Sequence, residues 1–158
     1  MLTFLIVMMA LVVGGGAALA ATVRCEGGPC EGTARPDTLK GSSQRDAMYG
    51  FGAEDKLYGS RGDDLLRGGR GADELYGGRG VDKFYGEGGA DHFSGGSGND
   101  RMTGGLGRDT LNGGTEVDTI NAQDGVYDVV NCGEGYPDAV LIDRGLDRVS
   151  NNCENVYW

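Results

Sequence analysis

The chain has 158 residues, of which 32 are glycine, about three times the usual share, and its formal charge is −10 at pH 7. A chain this acidic repels nucleic acids and anionic lipids, so we expect it to bind neither. With three prolines and no Gly-X-Y period it is not a collagen, and any histidine-dependent catalytic site would have to use His92, its one histidine.

The chain begins with an uncharged, apolar segment. An apolar run over residues 2–13 is followed by three glycines and then by Ala18-Leu19-Ala20, an A-x-A cleavage pattern. This pattern predicts a signal peptide over residues 1–20 and therefore a secreted, extracellular protein. A run of about a dozen apolar residues is short for a membrane span. However, no Lys or Arg precedes it, and a retained membrane anchor over residues 1–23 stays open as the alternative.

Four cysteines lie in two local pairs. An even number of cysteines in an exported chain favours disulfides, and four allow three connectivities. We expect Cys25–Cys30, in a lead-in over residues 21–31, and Cys132–Cys153, in the C-terminal segment, because the repeats lie between the two pairs. Zinc bound by the four thiolates is the alternative, although the spacing differs from that of zinc knuckles.

Residues 32–121 consist of a nine-residue repeat. Aspartate recurs at every ninth position from Asp37 to Asp118, with a glycine five residues before it and an apolar residue two residues after it. The unit is G-G-x-G-x-D-x-U-x, where U is apolar and positions are numbered from the first glycine. Copies at 68–73, 77–82, 95–100 and 104–109 match the first six positions in full, whereas the terminal copies are degraded, as capping repeats usually are.

The repeat predicts an all-β stack of short parallel strands. Glycine reaches positive φ without a Cβ clash, so the first six positions turn tightly, and the x-U-x triplet forms a strand with its middle side chain on one face. One apolar residue in nine is too few for a globular core, but it is sufficient if the strands stack into two facing ladders. Two units per coil give five coils, about 24 Å long at about 4.8 Å per coil.

This stacking places carboxylates one coil apart on each side of the rod. At about 5 Å and an effective dielectric constant near 20, each neighbouring pair repels by about 3 kcal/mol. We therefore expect that the metal-free chain does not hold this fold at neutral pH. A divalent cation between two carboxylates turns this net repulsion into net attraction. Carboxylate and carbonyl oxygens in a flexible loop favour Ca²⁺ over Zn²⁺ and Mg²⁺.

The repeats resemble those of the RTX family, the hemolysin-type calcium-binding nonapeptide repeats. The resemblance implies a parallel β-roll, a calcium-stabilised right-handed β-solenoid, with several Ca²⁺ ions held between successive turns. Matched position by position, it implies carboxylate ligands from Asp55, Asp64, Asp73, Asp82, Asp91, Asp100, Asp109 and Asp118, the first and last as half-sites. It implies backbone ligands from Gly69, Gly71, Gly78, Gly80, Gly96, Gly98, Gly105 and Gly107. Asp37 and Asp46 lack the neighbouring glycines and are doubtful ligands.

The chain also departs from the family. Many family members carry an enzymatic or pore-forming domain and leave the cell by a C-terminal signal, and neither feature is expected here. Only 37 residues follow the repeats, too few for a catalytic domain, so a small hydrolase is the least favoured hypothesis. We expect residues 122–158, where an acid-x-apolar pattern continues at irregular spacing, to form irregular coils and a cap closed by Cys132–Cys153.

The coil arrangement also predicts which outward side chains are neighbours. It places Lys56, Glu74 and His92 in one row, Tyr58 beside Tyr76, and Arg67 between two further tyrosines, Tyr49 and Tyr85. This Tyr/Arg stripe gives an alternative function, calcium-dependent adhesion or carbohydrate binding. Cross-strand packing with cation–π contacts is the simpler interpretation of the same residues. The favoured function is a secreted, non-enzymatic protein that folds when it binds Ca²⁺ outside the cell.

Overall fold

The computed structural model describes residues 21–135 and 137–158. The predicted signal peptide and most of the alternative anchor lie outside these residues. The described part contains sixteen β-strands and no helix, and thus no helix that could cross a membrane.

Eight strands of odd number form one sheet and eight of even number form the other. The odd strands are β1 (Ala21–Arg24), β3 (Asp37–Lys40), β5 (Lys56–Arg61), β7 (Glu74–Arg79), β9 (His92–Ser97), β11 (Thr110–Thr115), β13 (Val129–Glu134) and β15 (Arg148–Val149). The even strands are β2 (Gly28–Glu31), β4 (Asp46–Gly52), β6 (Leu65–Arg70), β8 (Lys83–Gly88), β10 (Arg101–Leu106), β12 (Thr119–Asn121), β14 (Ala139–Leu141) and β16 (Asn155–Tyr157).

Each strand pairs in parallel with the strand two places further along the chain. In β5 and β7, for example, Leu57 lies opposite Leu75, which is two repeats later. The order within each sheet is therefore β1-β3-β5 and so on, or β2-β4-β6 and so on, without interruption. This topology confirms the predicted parallel β-roll. The repeats form five coils, as expected, while the lead-in supplies one more coil and the tail two more, giving eight.

The core consists of the apolar residue of each repeat. All ten are at most 1% exposed: Leu39, Met48, Leu57, Leu66, Leu75, Phe84, Phe93, Met102, Leu111 and Ile120. Val130 and Val140 extend the two ladders into the tail. Where the ladders meet, Phe84 and Phe93 pack edge to face with their ring centroids 6.1 Å apart. Each such side chain contributes about 1.5–3 kcal/mol by leaving water, so the ladders supply the apolar stabilisation of the roll.

Both predicted disulfides are present. Cys25–Cys30 closes the first coil and Cys132–Cys153 joins the tail to the coil before it. All four cysteines lie in the described part of the chain and none has a free thiol. The zinc alternative is therefore wrong, because zinc would need these sulfurs as thiolates.

Candidate metal centre

The repeat aspartates point into the roll and not into solvent. All ten are at most 3% exposed, and Asp128 and Asp138 in the tail are fully buried as well. From Asp55 onward, each carboxylate accepts through Oδ1 the backbone N–H of the aspartate one coil earlier, at 2.7–2.8 Å. The aspartates thus form two hydrogen-bonded ladders inside the roll, one on each side.

The second carboxylate oxygen, Oδ2, is buried without a hydrogen-bond partner among the described residues in ten of these aspartates. They are Asp55, Asp64, Asp73, Asp82, Asp91, Asp100, Asp109, Asp118, Asp128 and Asp138. A buried polar oxygen without a partner costs about 1–3 kcal/mol, and more if it is charged. Such a set of oxygens is therefore available to a cation.

Asp37 and Asp46, which the sequence marks as doubtful ligands, differ from the other repeat aspartates. Oδ2 of Asp37 accepts hydrogen bonds from the backbone N–H of Thr33 at 2.6 Å and from its hydroxyl at 2.8 Å. Oδ2 of Asp46 accepts the same two bonds from Ser42, at 2.7 and 3.0 Å. In these two copies the chain itself satisfies the carboxylate, so neither oxygen is left for a metal.

The loops explain this difference. Eight copies place positions 2 and 4 at positive φ, and they are the eight repeats whose Oδ2 lacks a partner. The pairs are Phe51 and Ala53, Ser60 and Gly62, Gly69 and Gly71, Gly78 and Gly80, Glu87 and Gly89, Gly96 and Gly98, Gly105 and Gly107, and Gly114 and Glu116. Positions 2 and 4 of the first two copies do not reach positive φ, and there the loop turns a backbone N–H towards its own aspartate.

The aspartates predicted from the sequence lie in all eight of these loops, but the predicted backbone ligands lie only in the four copies that match the repeat in full. The other four adopt the same conformation although five of their residues, Phe51, Ala53, Ser60, Glu87 and Glu116, carry a side chain at positive φ. This conformation is unfavourable for such residues and persists only where the surroundings impose it. These loops can therefore be located in the sequence by the nine-residue spacing of the aspartates, and not by the glycines alone.

Carbonyl groups of one loop point towards the next loop on the same side. A Cβ atom added to Gly69 or Gly71 would overlap the carbonyl oxygen of Phe51 or Ala53, respectively, one coil earlier. The same holds for Gly78, Gly80, Gly96, Gly98, Gly105 and Gly107, each against the residue 18 positions before it. We call the space between two loops stacked in this way an inter-loop gap. Each gap is faced by two carbonyl oxygens, from positions 2 and 4 of the earlier loop.

The chain matches the profile of the RTX calcium-binding nonapeptide repeat in four copies, at residues 31–66, 58–93, 67–102 and 94–126. Together these cover residues 31–126, more than half of the chain. The chain belongs to the RTX calcium-binding repeat family. Comparison with curated proteins and with solved structures finds no significant match.

RTX repeats bind Ca²⁺, and the donors of this roll fit that ion. Carboxylate and carbonyl oxygens are the hard ligands that Ca²⁺ prefers. Within the described residues, no group of three or more Asp, Glu, His or Cys side chains is arranged to hold a metal ion. Side chains alone therefore form no such cluster in the described part of these RTX loops.

Burial is the main electrostatic penalty on the RTX aspartates. It raises the pKa of Asp55, Asp64, Asp91, Asp100 and Asp118 to about 7 and that of Asp82 to about 6. In each case a backbone N–H bond to the carboxylate lowers the pKa, and repulsion from other carboxylates adds a smaller increase. The expectation from the sequence that mutual repulsion between carboxylates is the main penalty was wrong. Desolvation is larger because the carboxylates point into the roll.

The RTX aspartate ladders extend further than the repeat spacing indicates. Asp118 was expected to end its ladder, but its backbone N–H donates to Oδ1 of Asp138 at 2.7 Å. Asp109 is likewise followed by Asp128, at 2.8 Å. Both tail aspartates carry the acid-x-apolar pattern in the sequence, but their spacing departs from nine, so the repeat does not predict them as ligands.

The outer face agrees with the predicted register. Lys56 and Glu74 form a 2.8 Å ion pair on neighbouring strands. The rings of Tyr58 and Tyr76 stack with their centroids 4.9 Å apart and their planes at 5°. Each of these two rings thus presents one face to the other, which supports cross-strand packing as their role.

Proposed function

We propose that this protein is an extracellular calcium-binding module that folds when it binds Ca²⁺, with no catalytic role. One observation carries the proposal: eight loops combine positive φ at positions 2 and 4 with a buried aspartate whose Oδ2 has no partner. These two properties occur together in every regular copy and are both missing in the two copies whose aspartates bond to Thr33 and Ser42.

The inter-loop gaps are the proposed binding sites. On one side, loops 50–55, 68–73, 86–91 and 104–109 enclose three gaps, and on the other side loops 59–64, 77–82, 95–100 and 113–118 enclose three more. The ligands would be the aspartates Asp55 to Asp118 of these loops and the carbonyl oxygens of positions 2 and 4, including the eight glycines expected from the sequence. Bound Ca²⁺ would supply the positive charge that the buried carboxylates lack.

Calcium binding and folding are coupled in this proposal. A buried carboxylate without a counter-charge destabilises the folded state, whereas the same carboxylate is solvated in the unfolded chain. Binding free energy then becomes folding free energy, as in other metal-dependent small domains. The predicted signal peptide and the two disulfides support an oxidising, extracellular location. Calcium outside the cell is plentiful enough for the weak sites of extracellular modules.

Circular dichroism of the purified, disulfide-intact protein tests the proposal. We expect chelator at neutral pH to abolish the β-type signal and added Ca²⁺ to restore it. Mg²⁺ at the same concentration serves as the control and should restore little, because it demands a stricter octahedral geometry. A spectrum that does not respond to chelator would refute the coupling of folding to calcium.

A second candidate function, binding to an anionic glycan, is favoured by one groove. Arg24 and Lys40 line this groove together with Tyr58 and with Lys56, which is paired with Glu74, so the groove is locally cationic on an acidic protein. A glycan array in the presence of Ca²⁺ tests this function with the wild type and with the Lys40→Ala/Lys56→Ala variant. Binding to acidic glycans that the variant loses would support it, and an array without binding would exclude it for the glycans displayed.

A further inference from the structure

In the segment 132–138, residues 132–135, 137 and 138 are described, and their stacking resembles that of an RTX loop although they lie outside the matched repeats. The family match ends at residue 126, and the loop has one residue more than the six of a regular copy. Its stacking on the previous loop is nevertheless regular. The backbone N–H of Glu116, at position 4, donates to the carbonyl of Glu134 at 2.9 Å. In the repeats, the N–H of Gly62 donates to the carbonyl of Arg79 in the same way, also at 2.9 Å.

The carbonyl oxygens of the preceding loop also point at this loop as they do in the repeats. Gly133 has a φ of +96°, which matches position 2 of a regular loop, whereas Gly135 at position 4 lacks the positive φ of the regular loops. A Cβ atom on Gly133 would overlap the carbonyl oxygen of Gly114, and one on Gly135 would overlap that of Glu116. These are the contacts that define the other inter-loop gaps.

A buried carboxylate completes the arrangement. Asp138 is fully buried, and its Oδ1 accepts the backbone N–H of Asp118 at 2.7 Å. Its Oδ2 has no hydrogen-bond partner in the described part of the chain, and the same is true of Asp118. Cys132 occupies position 1, where the repeats have glycine, and its disulfide to Cys153 ties this loop to the last coil.

We propose that the gap between loops 113–118 and 132–138 is a further Ca²⁺ site, with the carboxylates of Asp118 and Asp138 and the carbonyl oxygens of Gly114 and Glu116 as donors. This inference rests on the proposed function of the regular gaps. It places a calcium ion beside the Cys132–Cys153 disulfide, so that the metal and the disulfide together hold the C-terminal coils on the roll.

The other side of the roll does not continue in this way and supplies a control. Asp128 is as deeply buried as Asp138, and its Oδ2 also lacks a partner in the described chain. The N–H of Gly107 donates to the side chain of Asp124 at 2.7 Å, much as the N–H of Gly98 in a regular gap donates to the side chain of Glu116 at 2.6 Å, so this bond does not distinguish the two sides. A Cβ atom on Gly125 would meet no described atom within 4 Å. The close approach between position 4 of one loop and the carbonyl oxygen of the loop before it is therefore not reproduced between loops 104–109 and 122–128.

Counting bound calcium in variants tests the site. Native mass spectrometry in saturating Ca²⁺ would compare the wild type with Asp138→Asn, Asp128→Asn and Asp82→Asn, the last as a variant within the regular repeats. We expect Asp138→Asn to bind one ion fewer than the wild type and Asp128→Asn to bind the same number. An unchanged count in Asp138→Asn, or an equal loss in Asp128→Asn, would overturn the inference. A wild type that binds no calcium would overturn the proposed function as well.

A crystal of the wild-type protein grown with calcium decides the question even if Asp138→Asn fails to fold. Anomalous scattering from calcium should give a peak between loops 113–118 and 132–138, and none between loops 104–109 and 122–128. Peaks in the six regular gaps without one in this gap would refute the further site and leave the proposed function standing.

Discussion

At the scale of single residues, the roll is defined by how each aspartate uses its two oxygens. In the ten repeat aspartates, Oδ1 joins one coil to the next, whereas Oδ2 accepts a hydrogen bond from the described chain only in Asp37 and Asp46. In the eight repeat aspartates from Asp55 to Asp118, desolvation raises the pKa and so favours the neutral, protonated form. Metal-free stability should therefore depend strongly on pH.

In the presence of chelator, we expect acid to stabilise the roll. The folded-state pKa of Asp55 and Asp91 is about 7, above the ordinary value of 3.8, so the folded state binds more protons than the unfolded state between these values. The stabilisation that these bound protons contribute to the folded state is fully present below about pH 4 and is lost as pH rises through about 7. Urea unfolding in chelator, followed by circular dichroism at several pH values, measures this trend. With saturating Ca²⁺ the trend should reverse in acid, because protons compete with the metal. Greater metal-free stability at pH 7.5 than at pH 4.5 would contradict the account.

Gly71, at position 4 of its loop, is favoured by close approach to the previous loop as well as by φ. At Gly71, with a φ of +131°, a Cβ atom would overlap the carbonyl oxygen of Ala53. Gly125 also has a positive φ, +86°, but a Cβ atom there would meet no described atom within 4 Å. We expect Gly71→Ala to lower the free energy of unfolding in Ca²⁺ by more than about 3 kcal/mol, and Gly125→Ala by about 1–2 kcal/mol. If urea titrations gave equal losses of unfolding free energy in the two variants, the close approach between loops would not explain the requirement for glycine.

At the scale of elements, each strand contributes one apolar residue to a continuous ladder. Leu75 in β7 lies between Leu57 and Phe93 in the register of its sheet and is fully buried. Leu106 at the end of β10 is 68% exposed and belongs to neither ladder. The same residue type therefore occupies two different environments in adjacent coils.

Substituting these two leucines measures what the ladder contributes. Leu75→Ala should lower the free energy of unfolding by about 2–5 kcal/mol, since it removes buried methyl groups and leaves a cavity. Leu106→Ala should change it by no more than about 0.5 kcal/mol. Chemical denaturation in saturating Ca²⁺ gives both values. Comparable losses in the two variants would mean that the ladder is not the core.

The sequence predicts much of this element-scale structure, because a period of nine determines which residues stack. The parallel strands, the core ladders, the Lys56–Glu74 pair and the Tyr58–Tyr76 stack all follow from adding 18 to a residue number. The left-handed conformation of Phe51 and Glu87 does not follow, since each is a residue that avoids positive φ when alone. Their conformation is imposed by the neighbouring loops. The loop at 132–138 was also missed. Its one extra residue departs from the nine-residue spacing, although the loop still stacks on the loop before it.

At the scale of the whole molecule, the roll is a stack of eight coils in which each strand contacts mainly its neighbours along the stack. Apolar ladders and backbone pairing hold the coils together. The buried carboxylates act against them wherever Oδ2 has no partner. The balance between these opposing contributions determines whether the fold exists without metal.

Small-angle X-ray scattering of the protein without its predicted signal peptide, with disulfides intact, tests this balance most directly. At neutral pH we predict a radius of gyration near 15 Å in calcium, as for a compact chain of this length, and a value approaching about 38 Å in chelator, as for an unfolded one. The two disulfides close only short loops and should reduce the second value little. A compact particle of unchanged dimensions in chelator at neutral pH would contradict the claim that calcium is needed to offset the buried aspartates.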